Sequence, residues 1–269
     1  MVTPSIEITT KIGCPVNCKF CAQDKLIKEY SKRSSEYMMS METFGQCLSK
    51  IPKNVRIDFS GFCEPFANPG CVDMIVYAHQ QGYQMFLYST LVGLNIEDIE
   101  KLKGVHFPTV CVHLADNEGN SNFVVDDNYI SVLKCFVGNV QCGYHCHGSV
   151  HNMVRGIVGE AVTKQVSITE GKLNSKAGSV SKKEYYYKHN KIMCGSSELE
   201  FNKNVLLPNG DVALCCMDYK MEWILGNLLK QDYNSLYNTG MTRQLAFNCL
   251  SDCADFICRK CVNTVDIEQ

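Results

Sequence analysis

Six strand-like runs alternate with helix-like runs over the first two thirds of this sequence, and no other feature restricts its fold as severely. The strand-like stretches lie at 5–10, 55–59, 84–89, 107–114, 140–147 and 165–169. Helical spacing of apolar residues marks 41–51, 69–82, 96–102, 126–137 and 152–158, while 31–40 is polar and reads as irregular. Strands separated by helices pair in parallel through right-handed crossovers and present reactive groups at their carboxyl ends. Here those ends carry the turn Ser60-Gly61-Phe62-Cys63-Glu64-Pro65, then Ser89 with Thr90, His113 with Asp116, and the run from Cys142 to His147.

Seventeen cysteines in 269 residues is far above ordinary usage. The N-terminus does not read as a signal peptide and no apolar run is long enough to span a bilayer, so a cytoplasmic location is expected. Thiols stay reduced there, and clustered cysteines then point to metal rather than to disulfides. The net charge of -2 leaves no electrostatic footprint for nucleic acid or an anionic membrane. Neither is expected as a partner, and a small molecule or peptide is.

Cys14, Cys18 and Cys21 fall within eight residues, directly after the first strand. Gly13, Pro15 and Asn17 disfavour both helix and strand, so the segment is expected to be a loop that turns its sulfurs toward one point. Three thiolates are one short of a closed iron-sulfur cube or a tetrahedral zinc, and without a fourth ligand one metal vertex stays open. A zinc knuckle or a disulfide staple is the plainer alternative, although knuckles pair C-x2-C with a second such pair or with H-x3-H.

The spacing C-x3-C-x2-C, with the aromatic Phe20 before the last thiol, resembles the defining motif of the radical S-adenosylmethionine enzymes. The resemblance implies a 4Fe-4S cluster on Cys14, Cys18 and Cys21 whose open iron chelates S-adenosylmethionine, which one electron cleaves to a 5'-deoxyadenosyl radical, with Phe20 near the adenine. Gly61, Glu64 and Pro65 match the family's glycine-rich GGEP-type segment, which meets the cofactor's amino group; Cys63 stands where the family more often has glycine. Ser89, Thr90 and His113 are then expected to face the cofactor, Ser89 and Thr90 being equally readable as strand-end caps. The implied fold is α/β, a partial (β/α)6 TIM-like barrel.

In the run from Gln141 to His147, strand alternation puts Cys142, Tyr144 and Cys146 on one face and His145 and His147 on the other, which argues against one metal ion collecting both sets. Cys142 or Cys146 is a candidate barrel-facing thiol that returns a hydrogen atom to a substrate radical, as an epimerase needs. A buried structural cysteine is the default reading. Leu173-Asn174-Ser175-Lys176-Ala177-Gly178 resembles an N-R-A-G-like turn found after the sixth strand in relatives with a second cluster, with Lys176 replacing arginine. Lys176 is the candidate to orient a substrate hydroxyl or accept its proton, against the alternative of a solvated loop lysine. The charged and aromatic stretch 182–189 reads as a linker.

Beyond Met193 the pattern changes. Strands at 199–207 and 211–215 flank Pro208-Asn209-Gly210 as a β-hairpin, a helix follows near 235–247, and Cys249, Cys253, Cys258 and Cys261 close the chain. The order Cys194, hairpin, Cys215, helix, Cys258-x2-Cys261 resembles the truncated SPASM or twitch domain of radical enzymes, implying a closed auxiliary 4Fe-4S cluster on those four thiols. A structural zinc at the same thiols is the alternative. Cys216 is expected to be a bystander, because adjacent strand side chains point apart, while Cys249 and Cys253 stay unassigned. Two units follow, a partial barrel at 1–185 and a small hairpin-plus-helix domain at 186–269.

Among such enzymes the chain most resembles the aminocyclitol dehydrogenases. That resemblance implies hydrogen abstraction from a hydroxyl-bearing carbon of a sugar-like or nucleotide-linked small molecule, oxidation with electron transfer to the auxiliary cluster, and a flavodoxin- or ferredoxin-type reductant. Radical epimerisation with a cysteine donor, maturation of a ribosomal peptide, and a non-catalytic metal or redox module are the alternatives.

Overall fold

The computed structural model describes residues 3–159, 176–180, 187–251 and 256–267. The chain opens with β1 (Ser5–Ile8), the cysteine loop and α1 (Gln23–Tyr30). It then alternates through α2 (Met41–Leu48), β2 (Arg56–Phe59), α3 (Cys71–Gln80), β3 (Met85–Ser89), α4 (Ile96–Leu102), β4 (Thr109–His113), α5 (Asp127–Asn139), β5 (Gly143–His145) and α6 (Asn152–Val158). The five strands pair in parallel in sequence order, as the alternation requires. The expected sixth strand, at 165–169, lies outside the described residues.

Side-chain chemistry sorts the two faces of this sheet. Ile6, Ile8, Ile57, Phe59, Met85 and Leu87 are buried in the main core, each worth about 1.5–3 kcal/mol of burial. The alternate positions Glu7, Arg56, Asp58 and Tyr88 turn to the concave side. Helix starts follow capping chemistry: Ser40, Asn95 and Asp126 accept from the backbone N–H of Thr43, Asp98 and Tyr129 at the heads of α2, α4 and α5. Helix α1 was not among the expected elements. Its Leu26 and Tyr30 are wholly buried in a second apolar patch with Ile12 and Phe62.

The C-terminal part adds β6 (Ile192–Cys194), β7 (Lys203–Leu206), β8 (Asp211–Ala213), β9 (Ile224–Asn227), α7 (Gly240–Leu250) and β10 (Thr264–Asp266). The hairpin of β7 and β8 forms around Pro208-Asn209-Gly210, as expected, and β9 extends it as a third strand. Helix α7 begins later than 235 because Thr239 caps it through Thr242 N–H, while Tyr233–Tyr237 is a 3-10 turn. Strand β7 pairs in parallel with β1, Ser5 opposite Lys203 and Glu7 opposite Val205. Among the described residues one sheet of eight strands, β5-β4-β3-β2-β1-β7-β8-β9, therefore runs through both parts of the chain. The expected boundary at 185/186 lies outside the described residues. Among the described residues no helix is long and apolar enough to cross a membrane.

The turn between β8 and β9 is held by Asp218, whose carboxylate accepts Trp223 N–H at 2.8 Å and Glu222 N–H at 3.1 Å. Burial raises its pKa from 3.8 to about 6. Its contribution to stability is therefore full below about pH 4 and is lost as pH rises through about 6. Asp218→Asn cannot ionise, so relative to wild type it should gain up to about 3 kcal/mol between those limits. Urea unfolding of both proteins across the window measures this, and a pH-independent difference would contradict it.

Candidate active site between two cysteine sets

The first cysteine set sits in the loop between β1 and α1, which Gly13 and Asn17 turn with positive φ of 89° and 47°. Lys19 fastens this loop to the segment after β4, its N–H donating to Asn120 O and its ammonium to Glu118 O. Donors converge on the sulfurs: Glu64 N–H lies 3.3 Å from Cys14 Sγ, and Tyr219 O–H lies 3.5 Å from Cys21 Sγ. A hydrogen bond from the Cys63 thiol holds Cys14 below the usual thiol range, and one from Cys18 does the same for Cys21. Donors aimed at sulfur suit thiolates that ligate an iron-sulfur cluster. The residues therefore fit the group expected of them.

The turn after β2 lies against this loop because Gly61 lacks a side chain. It has φ of 88°, and a Cβ there would stand 2.5 Å from Thr9 Oγ1. Cys63 is not among the residues with positive φ, so its side chain costs no backbone strain. Glu64 is wholly buried. Its carboxylate accepts Ser89 O–H at 2.6 Å, Thr90 N–H at 2.6 Å, Thr90 O–H at 2.7 Å and Phe66 N–H at 3.3 Å. Ser89 and Thr90, expected to face a cofactor, thus spend their hydroxyls on Glu64 while still lining the space beside the trio together with Phe20, Cys63 and Pro65.

Two cavities meet here. One of about 160 Å³ lies among Cys14, Cys18, Cys21 and the Gly61 turn; one of about 560 Å³ lies between the sheet and the C-terminal cysteines. They share Ser60, Gly61, Tyr88, His113 and Lys176 as a common wall. Lys176 reaches this junction from a short described turn in which Lys176, Ala177 and Gly178 all have positive φ; Leu173, Asn174 and Ser175 fall outside the described residues. His113 stands beside His145 and His147, with ring centroids 5.2 and 6.2 Å away, and His147 lies 4.0 Å from Phe20. Burial, then the neighbouring imidazoles, lowers the pKa of His113 to about 3. Burial likewise takes His147 to about 4. The cluster is therefore neutral at ordinary pH.

The floor of the larger cavity is charged, and sequence reasoning missed it. Arg56 grips Asp58 through two hydrogen bonds of 2.6 and 2.7 Å and lies over the Phe86 ring. Glu7 accepts Ser60 O–H at 3.2 Å, and burial raises its pKa. The signal was the alternation itself: a sheet with helices on one face has no reason to alternate Ile with Glu and Arg with Asp unless its other face borders a polar space.

Two expected site residues are placed elsewhere. Cys142 lies with Cys111 and Tyr144 beside a separate cavity at the amino ends of β4 and β5. Cys146 is buried in the core, 3.8 Å from Ala115 O. Register explains the correction: His145 pairs with His113, so the inward positions of this run are the histidines, and neither thiol faces the larger cavity.

The second set assembles through tertiary pairing. Antiparallel β6 and β10 bring Cys194 opposite Thr264, beside the 3-10 turn Ile257–Lys260 that carries Cys258 and leads to Cys261. Cys194, Cys215, Cys258 and Cys261 all line the larger cavity, and Asn263 N–H lies 3.4 Å from Cys261 Sγ. Cys249, unassigned from sequence, is buried with its thiol hydrogen-bonded to Cys258; Cys253 lies outside the described residues. Arg259 anchors the turn from inside, donating to the carbonyls of Lys188, Asn190, Asn248 and Ser251. Cys216 is no bystander to the cavity: strand β8 ends at Ala213, so Cys215 and Cys216 occupy a turn and both face the space. Among the described residues no three His, Cys, Asp or Glu side chains close on a single-ion site; both cysteine sets border open space instead.

Residues 194–262 match the SPASM iron-sulfur cluster-binding domain, a span that holds all four thiols of the second set. No curated protein matches the chain by sequence. Among solved structures it superposes on BtrN in complex with AdoMet and 2-DOIA, with a TM-score of 0.60 and 13% identity over 99% of this chain and 94% of that one. It also superposes on anSMEcpe with bound AdoMet, with a TM-score of 0.59 and 14% identity over 96% and 86% of the two chains. A third likeness is to Streptococcus suis SuiB bound to precursor peptide SuiA, with a TM-score of 0.62 and 12% identity over 97% and 70%. The chain shares the fold of these three structures. At these identities the likeness is one of architecture: a partial barrel with a C-terminal auxiliary domain.

Glu64 offers a test of how the small cavity is held. Removing its carboxylate in Glu64→Ala leaves Ser89, Thr90 and Phe66 donors buried without an acceptor, at about 1–3 kcal/mol each. Glu64→Gln keeps one carbonyl oxygen and should lose distinctly less. Chemical denaturation ranks the two, and equal losses would show that the network does not carry the turn.

Proposed function

We propose that the chain is a radical S-adenosylmethionine enzyme that removes a hydrogen atom from a hydroxyl-bearing carbon of a sugar-like small molecule. The observation that carries this reading is the wall common to the two cavities. A cofactor beside the trio and a substrate beside the four-thiol set would meet at Tyr88, His113 and Lys176. When bound, S-adenosylmethionine on a 4Fe-4S cluster supplies a carbon radical able to break an unactivated C–H bond.

The protein's own groups do the rest. Cys14, Cys18 and Cys21 hold the first cluster and leave one vertex for the cofactor, with Phe20 and the Gly61 turn shaping its niche. Cys194, Cys215, Cys258 and Cys261 hold the second, which having four thiolates has no vertex to spare and serves electron transfer. A volume of about 560 Å³ has room for the second cluster with a small ligand beside it, and Glu7, Asp58, Arg56 and Lys203 offer that ligand both acceptors and donors. Lys176 orients the hydroxyl and takes its proton as the carbon is oxidised; a cluster on the four thiols would supply the acceptor for the electron, and a flavodoxin- or ferredoxin-type reductant would supply the electron that activates the cofactor. Inversion at the carbon is the second reading, favoured by the cavity-facing thiol of Cys216; peptide maturation draws support from the likeness to structures with bound peptide.

Anaerobic reconstitution with iron and sulfide should load about eight iron atoms per chain. Under reductant the loaded protein should cleave S-adenosylmethionine to 5'-deoxyadenosine, and Cys18→Ala should abolish that reaction. Cys258→Ala should lose about half the iron, because only the four-thiol cluster is broken. Zinc in place of iron, or cleavage that persists in Cys18→Ala, would sink the reading.

A further inference from the structure

Arg259 is wholly buried, yet among the described residues no carboxylate pairs with it. Its Nη1 donates to the carbonyls of Lys188 and Asn190, its Nη2 to those of Asn248 and Ser251, and its Nε is buried with no partner. A guanidinium cannot shed its proton inside a protein. Carbonyl oxygens solvate the charge without cancelling it, and a buried charge that lacks a counterion is costly. Something of opposite sign is therefore missing from its surroundings.

The position of Arg259 says what that is. The residue before it is Cys258, and both stand in the 3-10 turn Ile257–Lys260 that leads to Cys261. Its charge reaches the buried thiol of Cys249, which is itself hydrogen-bonded to Cys258, and Cys258 lies within electrostatic reach of Cys215 and Cys261. Arg259 does not line the larger cavity, whereas Lys176 and Lys203 do. The two lysines border the open space with the thiols; the guanidinium stands behind them in the protein, where water does not screen it.

We propose that Arg259 is the built-in counterion of the second cluster and raises its potential, so that it can take an electron from the substrate. This rests on the reading of Cys194, Cys215, Cys258 and Cys261 as 4Fe-4S ligands given above. A cluster held by four thiolates is a net anion in both oxidation states, by one charge more when reduced. A fixed cation beside it helps to retain the cluster and favours the reduced form over the oxidised one. A purely bracing role would ask of this position only donors for four carbonyls, and its charge would leave the potential unmoved.

The reconstituted full chain carrying Cys18→Ala should keep only the second cluster, so that the iron and the potential of that cluster are read alone. In this background Arg259→Met should either lose that iron or keep it at a more negative midpoint potential, the equilibrium for reduction falling on the order of tenfold, about 59 mV for one electron. Arg259→Lys keeps a charge without the planar fork, and should retain the iron at a potential close to the parent's. The proposal is overturned by a potential in Arg259→Met equal to the parent's, as expected of a charge already cancelled. It is overturned equally by a Lys variant whose potential is displaced by that same amount, or which loses the second cluster, since the fork and not the charge would then be what matters. Zinc in place of iron in the parent would instead fail the reading of the four thiols as cluster ligands.

Discussion

The parallel pairing of β7 with β1 is the constraint on which the rest of this molecule depends. Strand β1 delivers the first cysteine loop at its carboxyl end, and β7 opens the hairpin that delivers Cys215 and Cys216. Backbone hydrogen bonds between them fix the distance between the two cysteine sets, because a ladder tolerates neither sliding nor tilt without losing its partners. The larger cavity exists because that ladder holds the C-terminal segment over the concave face of the sheet.

Electrostatics divide this space into contrasting regions. Beside the first set, burial keeps the three histidines neutral, and the buried Glu64 carboxyl spends its oxygens on four donors from Ser89, Thr90 and Phe66. On the floor of the larger cavity, Arg56 and Asp58 neutralise each other, while Glu7 keeps a proton more readily than an exposed carboxyl. A ligand rich in hydroxyls meets paired donors and acceptors there rather than a uniform field. The second cysteine set is braced by Arg259, whose Nη1 and Nη2 groups donate to main-chain carbonyls instead of a carboxylate. A planar fork of donors can gather several carbonyls where a lysine could not.

Much of the fold was legible in local pattern. Alternating strand and helix signals located β1 to β5 and their helices, because hydrophobic period and cap residues such as Ser40, Asn95 and Asp126 act within a few positions of themselves. The trio, the Gly61 turn and the Pro208-Asn209-Gly210 hairpin were visible for the same reason. Helix α1 escaped because it follows directly on a loop whose chemistry dominates the reading, although Leu26, Ile27 and Tyr30 carry its apolar spacing. Reading Cys142 and Cys146 as barrel-facing failed on a one-residue question of register, and in a strand one residue exchanges the faces.

By itself, then, the sequence determined the order of elements, the two groups of thiols and the polar alternation of β1 and β2, all of which are written in neighbouring residues. Only the tertiary structure decided that β7 joins β1, that Cys216 turns to the cavity beyond the end of β8, and that Glu64 is spent on Ser89 and Thr90. Those outcomes depend on contacts between segments tens to hundreds of residues apart. Such contacts are selected by the packing of the whole chain, and no local spacing encodes them.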